Sequence, residues 1–172
     1  QGNSRTKVAL FKDGQIVKNL MYKLFTSADV ERLFSLYPIT DSIVSSVANI
    51  EPAVVNALHR LSKHFILFDH LTPLPIVNCY QSPETLGHDR IASAVGASHL
   101  CPNTNLLIVD AGSAVTYDFV SAEKGFLGGN IAPGIKMRLT ALNQMTKKLP
   151  MVEVEQNAFR PLFGKNTREA IA

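Results

Sequence analysis

Residues 106–120 read L-L-I-V-D-A-G-S-A-V-T-Y-D-F-V, and residues 125–134 read G-F-L-G-G-N-I-A-P-G. An apolar run ends on Asp110, a turn of small residues follows (Ala111-Gly112-Ser113-Ala114), and a second strand carries Thr116 and Asp118. A carboxylate at the end of a buried strand, beside a turn with free backbone N–H groups, suits a phosphate and its cation. The Gly128-Gly129 pair and the Ile131-Ala132-Pro133-Gly134 turn then lead into a long helix and offer a second surface to a flat ligand. These segments read as half of a nucleotide site. A further polar segment, residues 80–90, reads Y-Q-S-P-E-T-L-G-H-D-R and enters a helix near Asp89. A carboxylate in that position gains from the helix dipole, so Asp89 and Arg90 could simply cap and solvate the helix. The alternative role for Asp89 is to accept a proton from a substrate hydroxyl as a γ-phosphoryl group arrives.

Other chemistries have weaker support. Gly164-Lys165-Asn166-Thr167 echoes the tail of a Walker A loop, but Phe159 stands where its first glycine belongs. His88 has no second histidine at ligand spacing, and His59, His64, His70 and His99 have no evident partners. Cys79 and Cys101 form neither a disulfide framework nor a metal spacing, and neither has a basic neighbour to activate it, which fits a reducing cytosol.

The elements that position these residues can be traced from the pattern. Thr6 to about Leu20 reads as a hairpin closed by Lys12-Asp13-Gly14, and Glu123-Lys124-Gly125 closes a similar one. The segment starting at Gly2 aligns loosely with the one starting at Gly112, about 110 residues on, and suggests a duplicated half-domain facing itself across a cleft. Thr26-Ser27-Ala28-Asp29 starts a helix with Val30, Leu33, Phe34 and Tyr37 on one face. Residues 42–48 read as a buried strand, and Pro52 opens a helix with Val54, Leu58 and Leu61 inward. Residues 65–68 and 76–77 read as short strands, and residues 86–100 as a helix with Ile91, Ala94, Val95 and Ser98 inward. A turn at Pro102-Asn103-Thr104-Asn105 marks the best domain boundary. The last long helix runs through Ile135, Leu139, Leu142, Thr146 and Leu149 until Pro150, exposing an apolar stripe at Ile135, Leu139 and Leu142. Val152 and Val154 suggest one more strand, and Asn166-Thr167-Arg168-Glu169 begins a helix. Strands alternating with helices imply an α/β fold with mixed sheets.

With 172 residues and 46% apolar content, the chain can bury a core as one domain or two small ones. No apolar run is long enough for a membrane span or a signal peptide. The net charge of +3 is scattered, and Lys136, Arg138, Lys147 and Lys148 read as the wet face of a helix, so neither nucleic acid nor a membrane is expected as a partner.

Together these motifs resemble the type III pantothenate kinases, within the actin, sugar-kinase and heat-shock ATPase superfamily. The resemblance implies two duplicated actin-like (ribonuclease H-like) domains with a cleft between them. Residues 1–100 would hold the first, and residues 101–172 the start of the second. It implies phosphorylation of pantothenate by ATP to 4′-phosphopantothenate, the first step of coenzyme A biosynthesis. Gly2, Asn3, Ser4 and Lys7 look like the first phosphate motif, and residues 110–116 like the second, with Ser113 replacing the usual threonine at the ATP phosphates. Gly128, Gly129, Pro133 and Gly134 match the adenosine motif. Asp89 matches the proton acceptor, with Gly87, His88 and Arg90 lining the substrate, Tyr80 walling the pantothenate pocket and Thr167 contacting substrate. Asp110 matches a ligand for potassium or ammonium, alongside ATP with Mg2+. A cytoplasmic homodimer is implied.

The family's first motif starts with an aspartate immediately before the residue matching Gln1, and the family continues past Ala172, so a piece of a longer protein is expected. The rival reading from another class is a non-catalytic, pantothenate-kinase-like transcriptional accessory protein on the same fold. A different sugar or acetate kinase fits the phosphate motifs but not residues 86–90.

Overall fold

The computed structural model describes residues 6–46, 50–153 and 162–171 and divides the chain into two units. The first comprises Gln1–Leu74 and Gln81–Ala92, the second Pro75–Tyr80 and Ser93–Ala172.

In the first unit, strands β1 (Thr6–Lys12) and β2 (Gln15–Tyr22) pair antiparallel. Their two-residue turn has both central residues at positive φ, Asp13 at 51° and Gly14 at 75°, the geometry that matches the strands' right-handed twist. Helix α1 (Ser27–Leu36) begins with a capping box. The Thr26 N–H donates to Asp29 Oδ2 at 2.9 Å and the Asp29 N–H to Thr26 Oγ1 at 3.4 Å, so two otherwise unpaired donors are satisfied. Pro52 opens helix α2 (Pro52–Leu61), where its missing N–H costs nothing. This helix is the crossover between strands β3 (Asp41–Val44) and β4 (His64–Leu67), which pair in parallel. Val30 of α1 and Val54, Ala57 and Leu58 of α2 form the core of the unit, with Phe34, Val44 and Phe65 packed against it. Each buried Val or Leu contributes about 1.5–3 kcal/mol, which holds the helices on the strands. Among the described residues β1 pairs only with β2 and β3 only with β4, and both border a cavity of about 750 Å³ floored by Val30, Leu33, Val54 and Leu58.

Helix α3 (His88–Leu100) begins in the first unit and continues into the second, with Ile91 and Ala94 buried. It starts two residues later than the pattern suggests, after a short 3-10 turn at Pro83–Thr85. The second unit is built on an antiparallel meander of β5 (Leu106–Ala111), β6 (Ala114–Ser121) and β7 (Gly125–Pro133). Helices α4 (Ile135–Gln144) and α5 (Thr167–Ile171) follow. Asn166 and Glu169 form the expected start of α5, with the Glu169 N–H donating to Asn166 Oδ1 at 3.0 Å.

Six expectations need correction. The strand over residues 42–48 stops at Val44, because β4 is only four residues long and the Phe68 N–H closes the ladder on the Val44 carbonyl at 2.8 Å; residues 47–49 lie outside the described set. Residues 76–77 form no strand, although Asn78 makes a single parallel bridge to Phe126. Strand β5 is not buried on both faces. Among the described residues it pairs only with β6, and its side chains alternate, leaving Leu107 66% and Val109 53% exposed. Helix α4 ends at Gln144 instead of reaching Leu149. The Asn143 amide donates to the Leu149 carbonyl and the Leu149 N–H donates to Thr146 Oγ1, so side chains take over the backbone groups that a longer helix would use. Leu139 is buried, so the exposed stripe on α4 reduces to Ile135 and Leu142. Val152 is irregular, and Val154 lies outside the described residues.

Candidate active site

In the first unit, residues 86–90 are arranged around Gly87. Its carbonyl accepts the Arg90 N–H at 3.1 Å and the Ile91 N–H at 3.3 Å, the first bonds of α3. Asp89 therefore sits in the opening turn, where the helix dipole favours a carboxylate. One of its oxygens accepts the Arg90 N–H at 2.9 Å. That oxygen lies 2.6 Å from where a Cβ on residue 87 would be, so glycine leaves the room the carboxylate occupies. Leu86 and Arg90 are buried on either side while Asp89 is exposed. A carboxylate fixed by its own backbone and open to solvent is placed to accept a proton. His88 stands edge-on to the buried Phe68 ring, with centroids 5.5 Å apart, which fixes the imidazole beside that carboxylate in sequence.

In the second unit the two glycine-rich motifs are interlocked through backbone. β5 and β6 are joined across Gly112 and Ser113, and Ala114 pairs with Pro133 of β7. The Gly134 N–H donates to the Ser113 carbonyl at 3.1 Å. A Cβ on Gly134 would lie 2.4 Å from the Ser113 carbonyl oxygen and 2.5 Å from that of Gly112. Gly134 also caps α4, accepting the Arg138 N–H at 2.9 Å, so the helix N-terminus abuts the small-residue turn. Backbone donors gathered there favour an anion. Asp110 faces Thr116 across the β5–β6 ladder and is exposed, with one carboxylate oxygen 4.0 Å from a Gly112 Cβ position. Among the described residues no three His, Cys, Asp or Glu side chains gather as a metal cage. A lone exposed carboxylate is a hard oxygen donor, suited to a cation that takes its remaining ligands from elsewhere.

The glycine pair on β7 has two distinct surroundings. Gly128 is at φ +109°, with the Tyr80 ring 3.3 Å from its Cβ position, and Gly129 pairs with Asp118, whose carboxylate oxygen is 2.6 Å from its own Cβ position. Asp118 is 1% exposed and received no role from the sequence. Its signal was the strand alternation that puts it on one face with Thr116 and the buried Val120.

A family model described as type III pantothenate kinase matches residues 1–172. The type III pantothenate kinase of Phocaeicola vulgatus is 39% identical over 170 residues, which cover 99% of this chain and 69% of the relative. That of Bacteroides fragilis is 40% identical over 171 residues with the same coverage, and that of Porphyromonas gingivalis 35% identical over 174 residues. The chain belongs to the type III pantothenate kinase family. Among solved structures, a Campylobacter jejuni protein assigned to the Baf family of transcriptional activators shares the fold. It superposes with a TM-score of 0.51 at 23% identity, over 99% of this chain and 68% of that one.

Within this pantothenate kinase family member, the structure brings Gly87, His88, Asp89 and Arg90 together at the start of α3. It brings Ser113, Pro133 and Gly134 together where the meander meets α4. Tyr80 lies against β7, Lys7 is exposed on β1, and Thr167 is the exposed first residue of α5. Gly2, Asn3 and Ser4 lie outside the described residues. No helix among the described residues is long and apolar enough to cross a membrane.

Proposed function

We propose that this family member phosphorylates pantothenate with ATP, giving 4′-phosphopantothenate at the entry to coenzyme A biosynthesis. The observation that carries this reading is the exposed Asp89 carboxylate, held over Gly87 at the first turn of α3 between two buried neighbours. Asp89 is the proton acceptor for the pantothenate hydroxyl, Arg90 and His88 line the substrate, and Tyr80 and Thr167 contact it. On the nucleotide side, Lys7, Ser113, Gly128, Gly129, Pro133 and Gly134 take ATP, joined by Gly2, Asn3 and Ser4. Phosphoryl transfer asks the protein mainly to align groups and offset charge, which suits a fixed carboxylate and a cradle of backbone donors. Asp110 would hold a potassium or ammonium ion, and Mg2+ would arrive with ATP; these ions supply positive charge beside the phosphates.

The duplicated actin-like architecture, with residues 1–100 and 101–172 as its two parts and a cleft for the two substrates, belongs to this reading. So does a cytoplasmic homodimer, which sedimentation at micromolar concentration would reveal, with Ile135 and Leu142 on its surface. The test is ATP-dependent phosphorylation of pantothenate by the intact protein. Turnover lost on Asp89→Asn supports the reading. Binding of pantothenate without any turnover would leave the accessory-protein alternative standing in its place.

A further inference from the structure

The segment carrying Tyr80 is stitched to the strand carrying the glycine pair. The Phe126 N–H donates to the Val77 carbonyl and the Cys79 N–H to the Phe126 carbonyl, each at 2.9 Å. Cys79 Sγ donates to the Lys124 carbonyl at 3.2 Å, and the Tyr80 N–H donates to Asn78 Oδ1 at 3.0 Å. These bonds fix the backbone up to Tyr80, so the ring position depends on what lies beneath it. On one side is the ring of the fully buried Phe126, with centroids 6.2 Å apart and planes tilted by 41°. On another is the bare Cα of Gly128, where a Cβ would stand 3.3 Å from Tyr80 Cδ2 and 3.5 Å from Cε2. Gly128 is at φ +109°, a conformation that any other L-residue would strain to adopt. A side chain at 128 must therefore displace the ring, the strand, or both.

We propose that Gly128 is a positioning residue for the pantothenate pocket: it belongs to the nucleotide motif by sequence but sets, through Tyr80, how well pantothenate binds. This rests on the reading of Tyr80 as a wall of that pocket. Displacing a wall by a fraction of an ångström weakens first the ligand that rests on it.

The test is Gly128→Ala in the intact enzyme, with steady-state constants for both substrates and calorimetric binding of pantothenate. The expected result is a pantothenate KM and Kd raised about tenfold, a clearly larger rise than any in the ATP KM. Tyr80→Ala should also raise the pantothenate KM, and adding Gly128→Ala to it should cost little more, since both act through one ring. A rise in the ATP KM alone, or costs that multiply in the double variant, would overturn the proposal while leaving Tyr80 in the pocket. A Tyr80→Ala enzyme with unchanged pantothenate affinity would instead overturn the pocket assignment itself. Should Gly128→Ala fail to fold, Phe126→Leu removes the supporting ring without a new backbone atom. The same substrate split is then expected, and equal effects on both substrates would count against the proposal.

Discussion

The two motifs proposed to meet the substrates are held by opposite means. Residues 86–90 depend on a side chain: Gly87 makes space for the Asp89 carboxylate, and the neighbours anchoring it are buried side chains. The turn at residues 112–113 depends on backbone, with Gly134 leaving space for two carbonyl oxygens and bonding to one of them. A glycine under a side-chain carboxylate and a glycine against rigid backbone should fail differently when replaced. The first should lose chemistry with little loss of stability, and the second should lose stability and nucleotide binding together.

The largest expected effect is at the side-chain motif. Asp89→Asn keeps size and polarity but cannot take the proton, so turnover should fall on the order of 10²-fold or more with the melting temperature unchanged. Near-normal turnover in a folded enzyme that binds pantothenate would remove Asp89 from the mechanism. Next is Gly134→Ala. Its φ of −66° is open to any residue, so only the missing space matters. Contacts of 2.4 and 2.5 Å with backbone oxygens force the turn and α4 apart. Such overpacking costs about 1–3 kcal/mol, and a thermal melt together with an ATP KM raised about tenfold would show it. An unchanged melt would mean that the two loops are less tightly joined than their geometry indicates.

What could be read from the sequence follows the same division. Local chemistry was legible: the Asp13-Gly14 turn, the Thr26–Asp29 box and the proline opening α2 each act within a few residues. The motif residues were legible as types, and the order of β5, β6 and β7 follows from short hairpins. Contacts made across the chain were hidden. Nothing in residues 75–80 announces that Val77 and Cys79 bond to Phe126, and the exposure of Leu107 and Val109 depends on which strands lie beside β5. The end of α4 was missed because Asn143 and Thr146 compete for backbone groups through their side chains, which apolar periodicity does not register.

Two smaller effects sharpen the comparison. Gly87→Ala should lower kcat several-fold, because its Cβ meets a carboxylate oxygen that can rotate away from its working place, while the melt stays near wild type. An equal drop in stability would make this glycine a backbone device like Gly134. On the other motif, replacing potassium by sodium or a bulky organic cation at constant ionic strength should depress the rate a few-fold, and Asp110→Asn should blunt the difference. Equal rates in all these salts would sink the cation assignment.

The smallest effect lies at the edge of the first unit, where side chains again supplement a thin backbone ladder. β3 and β4 are only four residues each, and Asp41 and His64 face each other at their start with Oδ1 and Nδ1 2.5 Å apart. The Thr40 hydroxyl, and after it His64, hold the Asp41 carboxyl below its usual value. A carboxyl lowered in the folded state adds stability that is present above its unfolded pKa and lost as pH falls through the folded one. Asp41→Asn should therefore lower the melting temperature slightly at neutral pH, and the gap to wild type should close in acid. Both side chains are well exposed, so the gap should be small and shrink with added salt. A gap that persisted in acid, where the carboxyl is protonated in both states, would mean that Asp41 acts through the shape of the strand start and not through its charge.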